Sequence, residues 1–213
     1  MRILIVDDHE LFRKGLRHLL DRFDAELEIV EAADCDQAIA RASEPFDLVL
    51  LDLHMPGMTG LEALHRMRPA FESSPIVVLS GEDDPRQVRR AIDAGAAGFI
   101  PKSSTPDVMR SALRLVLADE VYLPAVALKG ITEDGGEAGT MTPGRIGDAL
   151  SDRQVDVLRK AVQGKANKVI ARELGISEGT VKAHLSAAFR ALGVHNRTEA
   201  VYAAARCGLQ LKP

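Results

Sequence analysis

Asp7 and Asp8 follow the apolar run RILIV, Asp52 closes FDLVLLD, Ser80 closes PIVVLS, and Lys102 lies just past GFI. Three carboxylates, one hydroxyl and one ammonium thus stand at the ends of four apolar runs. If those runs are parallel strands of one sheet, all five groups share the edge at which open α/β sheets bind ligands. Clustered carboxylates raise one another's pKa. A hard divalent cation relieves that conflict, and Mg²⁺ in particular favours one or two carboxylates together with water and a phosphate oxygen. Lys102 offers a movable cation to a phosphate, and Ser80 a hydroxyl donor. The set fits phosphoryl chemistry with Asp52 as the nucleophile of an acyl phosphate. An isolated Asp-Asp pair would pass for a helix cap and Asp52 for a loop acid; five such groups on one edge would not. His9, His54 and His65 have no zinc-ligand spacing and read as solvated or hydrogen-bonded imidazoles.

The elements that must position these groups alternate along residues 1–118. Strand-like runs at 2–6, 27–33, 46–52, 75–80 and 98–100 are separated or followed by helical stretches near 9–23, 35–43, 61–68, 85–94 and 105–117. No polar residue interrupts Leu48 to Leu51, so that strand is expected to be covered on both faces. The alternation predicts a five-stranded parallel doubly wound α/β domain. Pro56, Gly57 and Gly60 shape the turn that follows Asp52.

Residues 119–147 change character. ITEDGGEAGTMTPGRIG holds five Gly and no apolar period, which predicts a flexible linker. The remainder, 148–213, is helical only. Ser151 caps a helix with Val155, Leu158 and Val162 on one face, NKVIAREL ends at Gly175, Ser177 caps a longer helix, and a fourth ends at Gly208. A helix over 167–174, a tight turn and a helix from 178 is helix-turn-helix geometry, in which the second helix enters the major groove. Lys182, Ala183 and Ser186 recur on its outward face, and Lys182 can reach a guanine edge or a phosphate.

Charge separates the two halves. Residues 1–118 carry 14 Lys and Arg against 20 Asp and Glu, whereas 148–213 carry 11 against 6. An acidic front and a basic back point to different partners, with nucleic acid for the back. The hydrophobic content of 46% suits a globular protein. Neither a membrane-length apolar run nor a signal-peptide pattern is present, which sets a cytoplasmic expectation without a membrane partner. Cys35 and Cys207 stand apart and read as reduced structural thiols.

Through ILIVDDHE, LLDLHMPGMTG, IVVLS and GFIPKS, residues 1–118 resemble the receiver domain of a two-component response regulator. The resemblance implies Asp52 as the site phosphorylated by a sensor histidine kinase. It also implies a Mg²⁺ site made by Asp8, Asp52, the backbone carbonyl of His54 and, partly through water, Asp7. Ser80 and Lys102 would contact the phosphoryl group, and Phe99 holds the place of the switch aromatic. GKANKVIARELGISEGTVKAHLSAAFRALGVHNRTEAV resembles the LuxR-type module of the NarL/FixJ family, over about residues 148–208. By that resemblance Lys182, Ala183 and Ser186 face bases, while Asn167, Lys168, Thr180, His184 and Arg197 lie near the DNA backbone. The stripe Ala200, Val201, Ala204 and Ala205 would then serve a homodimer formed on phosphorylation or on double-stranded DNA.

The expectation is a phosphorylation-controlled DNA-binding transcription regulator, not an enzyme. Haloacid-dehalogenase phosphatases share the nucleophilic Asp and the Lys, but place a DxD after the first strand; here the acids are adjacent and the nucleophile is on the third. A ligand-sensing LuxR-type regulator would need a small-molecule pocket in the front half. Control by dimerisation alone, without phosphate, remains compatible with the residues.

Overall fold

The computed structural model describes residues 1–21, 26–58, 60–82, 84–118, 122, 150–194 and 196–206. Five strands, β1 (Arg2–Val6), β2 (Glu28–Ala32), β3 (Leu48–Asp52), β4 (Ile76–Ser80) and β5 (Gly98–Pro101), form one sheet. All neighbours are parallel, in the order β2-β1-β3-β4-β5. Around the sheet run α1 (Glu10–Leu20), α2 (Cys35–Ile39), α3 (Gly60–Ala70), α4 (Pro85–Asp93) and α5 (Pro106–Leu117). The order of connection reverses between β1 and β3, the position at which doubly wound sheets open a crevice.

Alternate strand residues feed two cores. Leu4, Val6, Val49, Leu51 and Val78 join α2, α3 and α4 on one face, while Ile3, Ile5, Leu48, Leu50 and Val77 join α1 and α5 on the other. Every residue of β3 and β4 is buried, because each has a strand on both sides and helices on both faces. α2 is shorter than its expected 35–43: beyond Ile39 the chain makes three-residue turns, with the Arg41 and Ala42 amides bonded to the Ala38 and Ile39 carbonyls at 3.0 Å.

The second unit consists of α6 (Asp152–Val162), α7 (Asn167–Leu174), α8 (Glu178–Leu192) and α9 (Arg197–Arg206). Ser151 and Gln154 complete a capping box at α6. α7 stops at Gly175, whose φ of 65° is strained for side-chain-bearing residues, and Ser177 accepts from the Thr180 amide to start α8. Val157, Ala161, Ile170, Val181 and Leu185 fill the space between α6, α7 and α8. Leu150, Leu158, Ala188, Val194 and Ala200 make a second core that includes α9. The predicted linker falls outside the described residues apart from Tyr122, whose backbone bridges Gly98. Cys35 is buried and unbridged, and Cys207 is also outside the described residues. No described helix is long and apolar enough to cross a membrane.

Candidate metal centre and nucleic-acid interface

Strand register builds the acidic pocket. Val6 pairs with Leu51, so Asp7 comes level with Asp52 at the crevice. Asp52 in turn pairs with Leu79 and Ser80 with Pro101, so Ser80 and Lys102 line the same edge. The side chains of Asp7 and Asp52 are 0% exposed. The Lys102 ammonium lies 2.7 Å from Asp52 Oδ2, to which it donates a hydrogen bond. It lies 2.7 Å from Asp7 Oδ2 as well, at ion-pair distance but outside hydrogen-bond alignment. Burial alone would lower the pKa of Lys102; its hydrogen bond to Asp52 and the close carboxylates of Asp52 and Asp7 outweigh that and hold the group above its ordinary value. Phe12 stands beneath the ammonium with its ring centre 4.5 Å away.

Backbone amides complete the carboxylates. His9 N donates to Asp7 Oδ1 at 2.8 Å, and His54 N to Asp52 Oδ1 at 3.0 Å. Arg13 fixes the Asp7 carbonyl at 2.6 Å from Nη1. Asp7 Oδ2 and Asp8 Oδ1 are buried without a hydrogen-bond partner among the described residues. The carboxylate oxygens of Asp7, Asp8 and Asp52 form an all-oxygen set of the kind that a hard cation takes. His9 also offers a ligand atom, within 4.8 Å of those of the three aspartates. Ser80 Oγ accepts from Glu82 N at 3.1 Å and reaches Gln87 Oε1 at 3.4 Å. Phe99 is fully buried in the core beside Val88 and Ile92.

In the helical unit, Thr180, Lys182, Ala183 and Ser186 are exposed on α8, Lys168 is exposed on α7, and His184 is half-buried. The Thr180 hydroxyl lies 2.8 Å from Ser177 Oγ, within the helix cap. Asn167 and Arg197 are placed differently, at 4% and 6% exposure. Arg197 donates to Asn167 Oδ1 at 3.3 Å, to the Ala161 carbonyl at 2.9 Å and to the Lys165 carbonyl, so it ties α6, α7 and α9 together. Sequence spacing shows an arginine at a helix start and nothing of this internal role.

The two units touch. Thr198 Oγ1 donates to the Ala97 carbonyl at 2.6 Å and Asn196 Nδ2 to the Gly95 carbonyl at 3.0 Å, so the start of α9 sits on the loop between α4 and β5. Beside this contact lies a cleft of about 830 Å³, lined by Arg68, Glu72 and Ala97 on one side and by Lys182, Ser186 and Arg190 on the other. No sequence signal marked Asn196 or Thr198, because their partners are backbone carbonyls about a hundred residues away.

Comparison with known proteins agrees with both halves. Residues 3–114 match the response regulator receiver domain, and residues 148–204 match the bacterial regulatory proteins of the luxR family. The chain is 40% identical over 209 residues to the glycerol metabolism activator of Pseudomonas putida, covering 95% of this chain and 94% of that protein. It is 36% identical to the nitrate/nitrite response regulator protein NarL of Escherichia coli K12, covering 93% and 92%. A LuxR family DNA-binding response regulator from Silicibacter pomeroyi superposes with a TM-score of 0.53 at 35% identity, over 59% of this chain and 98% of that one. RcsB of Salmonella typhimurium, 23% identical, shares the fold with a TM-score of 0.57 over 94% of this chain and 96% of its own. Strand order, acidic edge and helix-turn-helix agree with these matches: the chain belongs to the two-component response regulators of the NarL/FixJ family, which join a receiver domain to a LuxR-type DNA-binding domain.

Proposed function

We propose that Asp52 accepts a phosphoryl group from a sensor histidine kinase, and that the acyl phosphate releases the helix-turn-helix to bind double-stranded DNA. The chain then reads as a receiver over 1–118, a linker over 119–147 and a DNA-binding unit over 148–213. One observation carries the proposal. Asp52 is buried against Lys102 at the sheet's switch point, while Lys182 and Ser186 line a cleft that faces the receiver.

A carboxylate oxygen of Asp52 forms the new P–O bond as the P–N bond of a phosphohistidine breaks, and the departing nitrogen takes a proton from solvent. Asp7, Asp8, Asp52 and the His54 backbone carbonyl are the groups that would hold Mg²⁺, which when bound supplies counter-charge to the phosphoryl oxygens. Lys102 exchanges Asp52 Oδ2 for a phosphoryl oxygen, and Ser80 turns from Gln87 and the Glu82 amide toward the same group. Phe99 already occupies the interior. The shift is therefore transmitted by the backbone around β4, α4 and β5, which includes the Gly95 and Ala97 carbonyls held by Asn196 and Thr198.

Release exposes Lys182, Ala183 and Ser186 to bases in the major groove, with Lys168, Thr180 and His184 near phosphates. Two copies paired through α9 bind adjacent half-sites, in the cytoplasm where the DNA lies. The test is intact mass after incubation with Mg²⁺ and a small phosphodonor, followed by binding to DNA selected from a random pool. Wild type should gain one phosphoryl group and bind more tightly; Asp52→Ala should do neither. Equal DNA binding by both proteins under these conditions would overturn the proposal.

A further inference from the structure

We propose that the cleft between the two units binds a small phosphate-bearing anion, which bridges receiver and helix-turn-helix and competes with DNA for α8. The cleft, about 830 Å³, is of the size that small ligands fill. Four of its lining residues are basic, Arg68 from the receiver and Lys182, Arg190 and Arg197 from the helical unit, while Glu72 is the acid among them. Lys182, Ser186 and Arg190 follow one another at four-residue spacing, along one face of α8. Guanidinium forks and hydroxyls match phosphate oxygens, which accept paired, charge-assisted hydrogen bonds.

Buried donors distinguish the cleft from an ordinary basic surface. Asn167, 4% exposed, lines it at the first position of α7. Arg197 donates to Asn167 Oδ1 at 3.3 Å, which fixes the orientation of the amide. Asn167 Nδ2 is buried without a hydrogen-bond partner among the described residues. An unpaired buried amide donor is costly, and an acceptor oxygen held in the cleft removes that cost. α7 also begins without a side-chain cap at Ala166 and without an acid in its first turn, so the positive end of its dipole is left for an anion. Across the cleft, Arg68 is 9% exposed and donates to the Ser74 carbonyl at 3.0 Å and to the Phe71 carbonyl, both neutral acceptors. Burial pulls its guanidinium below the ordinary value, and the charges of Glu72 and Glu199 offset only part of that. A bound anion supplies the missing countercharge.

Calorimetry with inorganic pyrophosphate on the full unphosphorylated chain, in a chelator and at fixed ionic strength, tests the site. Arg190 and Glu72 are both exposed, so substitutions there leave the cores intact. Arg190→Gln should bind the probe about 3- to 10-fold more weakly, through loss of a charge-assisted hydrogen bond. Glu72→Gln should bind it about 2- to 5-fold more tightly, because the cleft then loses its opposing carboxylate. Opposite signs in two exposed variants, one on each unit, place the anion between the units. Pyrophosphate should also lower the affinity for selected DNA beyond the effect of chloride at equal ionic strength, and DNA should lower the affinity for pyrophosphate by the same factor. Equal pyrophosphate affinity in wild type and both variants would place the anion elsewhere and overturn the site, as would no binding by wild type at millimolar probe. Weakening in Arg190→Gln with no change in Glu72→Gln would confine the anion to the helical unit and overturn the bridge. DNA binding indifferent to bound pyrophosphate would overturn the competition. Neither variant touches the acidic pocket, so failure here leaves the reading of Asp52 intact, and failure there leaves this site intact.

Discussion

Two fully buried carboxylates share the single ammonium of Lys102, which dominates the chemistry of individual residues here. Removing one partner of a buried ion pair leaves charge without compensation, at a cost of roughly 3–5 kcal/mol in closed interiors. The crevice opens to solvent at Lys102, so Lys102→Met should destabilise the receiver by about 3 kcal/mol in a chelator, at the low end of that range. Millimolar Mg²⁺ should restore part of the loss, because ligands of the folded state stabilise it by mass action. Thermal melts with and without the ion check this; an unchanged Tm would mean that the ammonium does not stabilise the folded receiver. Arg197 makes the opposite case, a cation that sequence assigns to DNA and the fold turns inward. With bonds to Asn167, Ala161 and Lys165, Arg197→Met should unfold the helical unit by about 2–4 kcal/mol. A pure phosphate contact would instead leave stability alone and reduce the salt slope of DNA binding by about 1.

At the scale of elements, α8 is the helix proposed to face the bases, and its start is capped by one hydroxyl. Ser177 accepts from Thr180 N at 3.0 Å and lies 2.8 Å from the Thr180 hydroxyl. Ser177→Ala should cost about 1 kcal/mol and fray the turn just before Lys182, lowering DNA affinity more than a surface change elsewhere. Equilibrium unfolding alongside a binding isotherm separates the two effects. α6 and α7 are joined by Glu173, with Lys160 Nζ at 2.5 Å and Lys165 Nζ at 2.7 Å. Hydrogen bonds from these two ammoniums hold the Glu173 carboxyl down to about 2, from an ordinary value of 4.5. A depressed folded-state pKa stabilises above the ordinary value and ceases to do so as pH falls through the folded one. Melting of the helical unit should therefore lose this contribution between pH 4.5 and about 2, and Glu173→Gln should flatten that part of the profile.

At the scale of the whole molecule, the two units meet in part through hydrogen bonds at the start of α9. Thr198 and Asn196 each donate to one carbonyl of the loop that leads into β5. A typical hydrogen bond contributes about 1 kcal/mol net, so these two bonds are of the scale that the proposed phosphorylation switch would open. Thr198→Val keeps the shape and deletes the donor. Combined with Asn196→Ala, it should raise DNA binding by the unphosphorylated protein by about 5- to 30-fold, the ratio that 1–2 kcal/mol sets. Titrating selected DNA with unphosphorylated wild type and double variant reads this directly; identical curves would mean that the contact does not limit access.

The order of strands and helices, the two cores and the edge that gathers Asp7, Asp52, Ser80 and Lys102 were legible in the sequence. Hydrophobic period and run length reflect which faces are buried, and parallel strands bring their carboxyl ends together whatever the side-chain details. The helix-turn-helix was legible for the same reason, through Gly175, Ser177 and apolar positions at helical spacing. Tertiary structure alone decided which groups meet. Lys102 reaches Asp52 and Asp7 across three strands, the His9 ring joins the carboxylates, Arg197 and Asn167 turn inward, and α9 rests on carbonyls near β5. Each of these depends on rotamers and on neighbours remote along the chain, and a backbone carbonyl that receives a hydrogen bond leaves no mark on residue type.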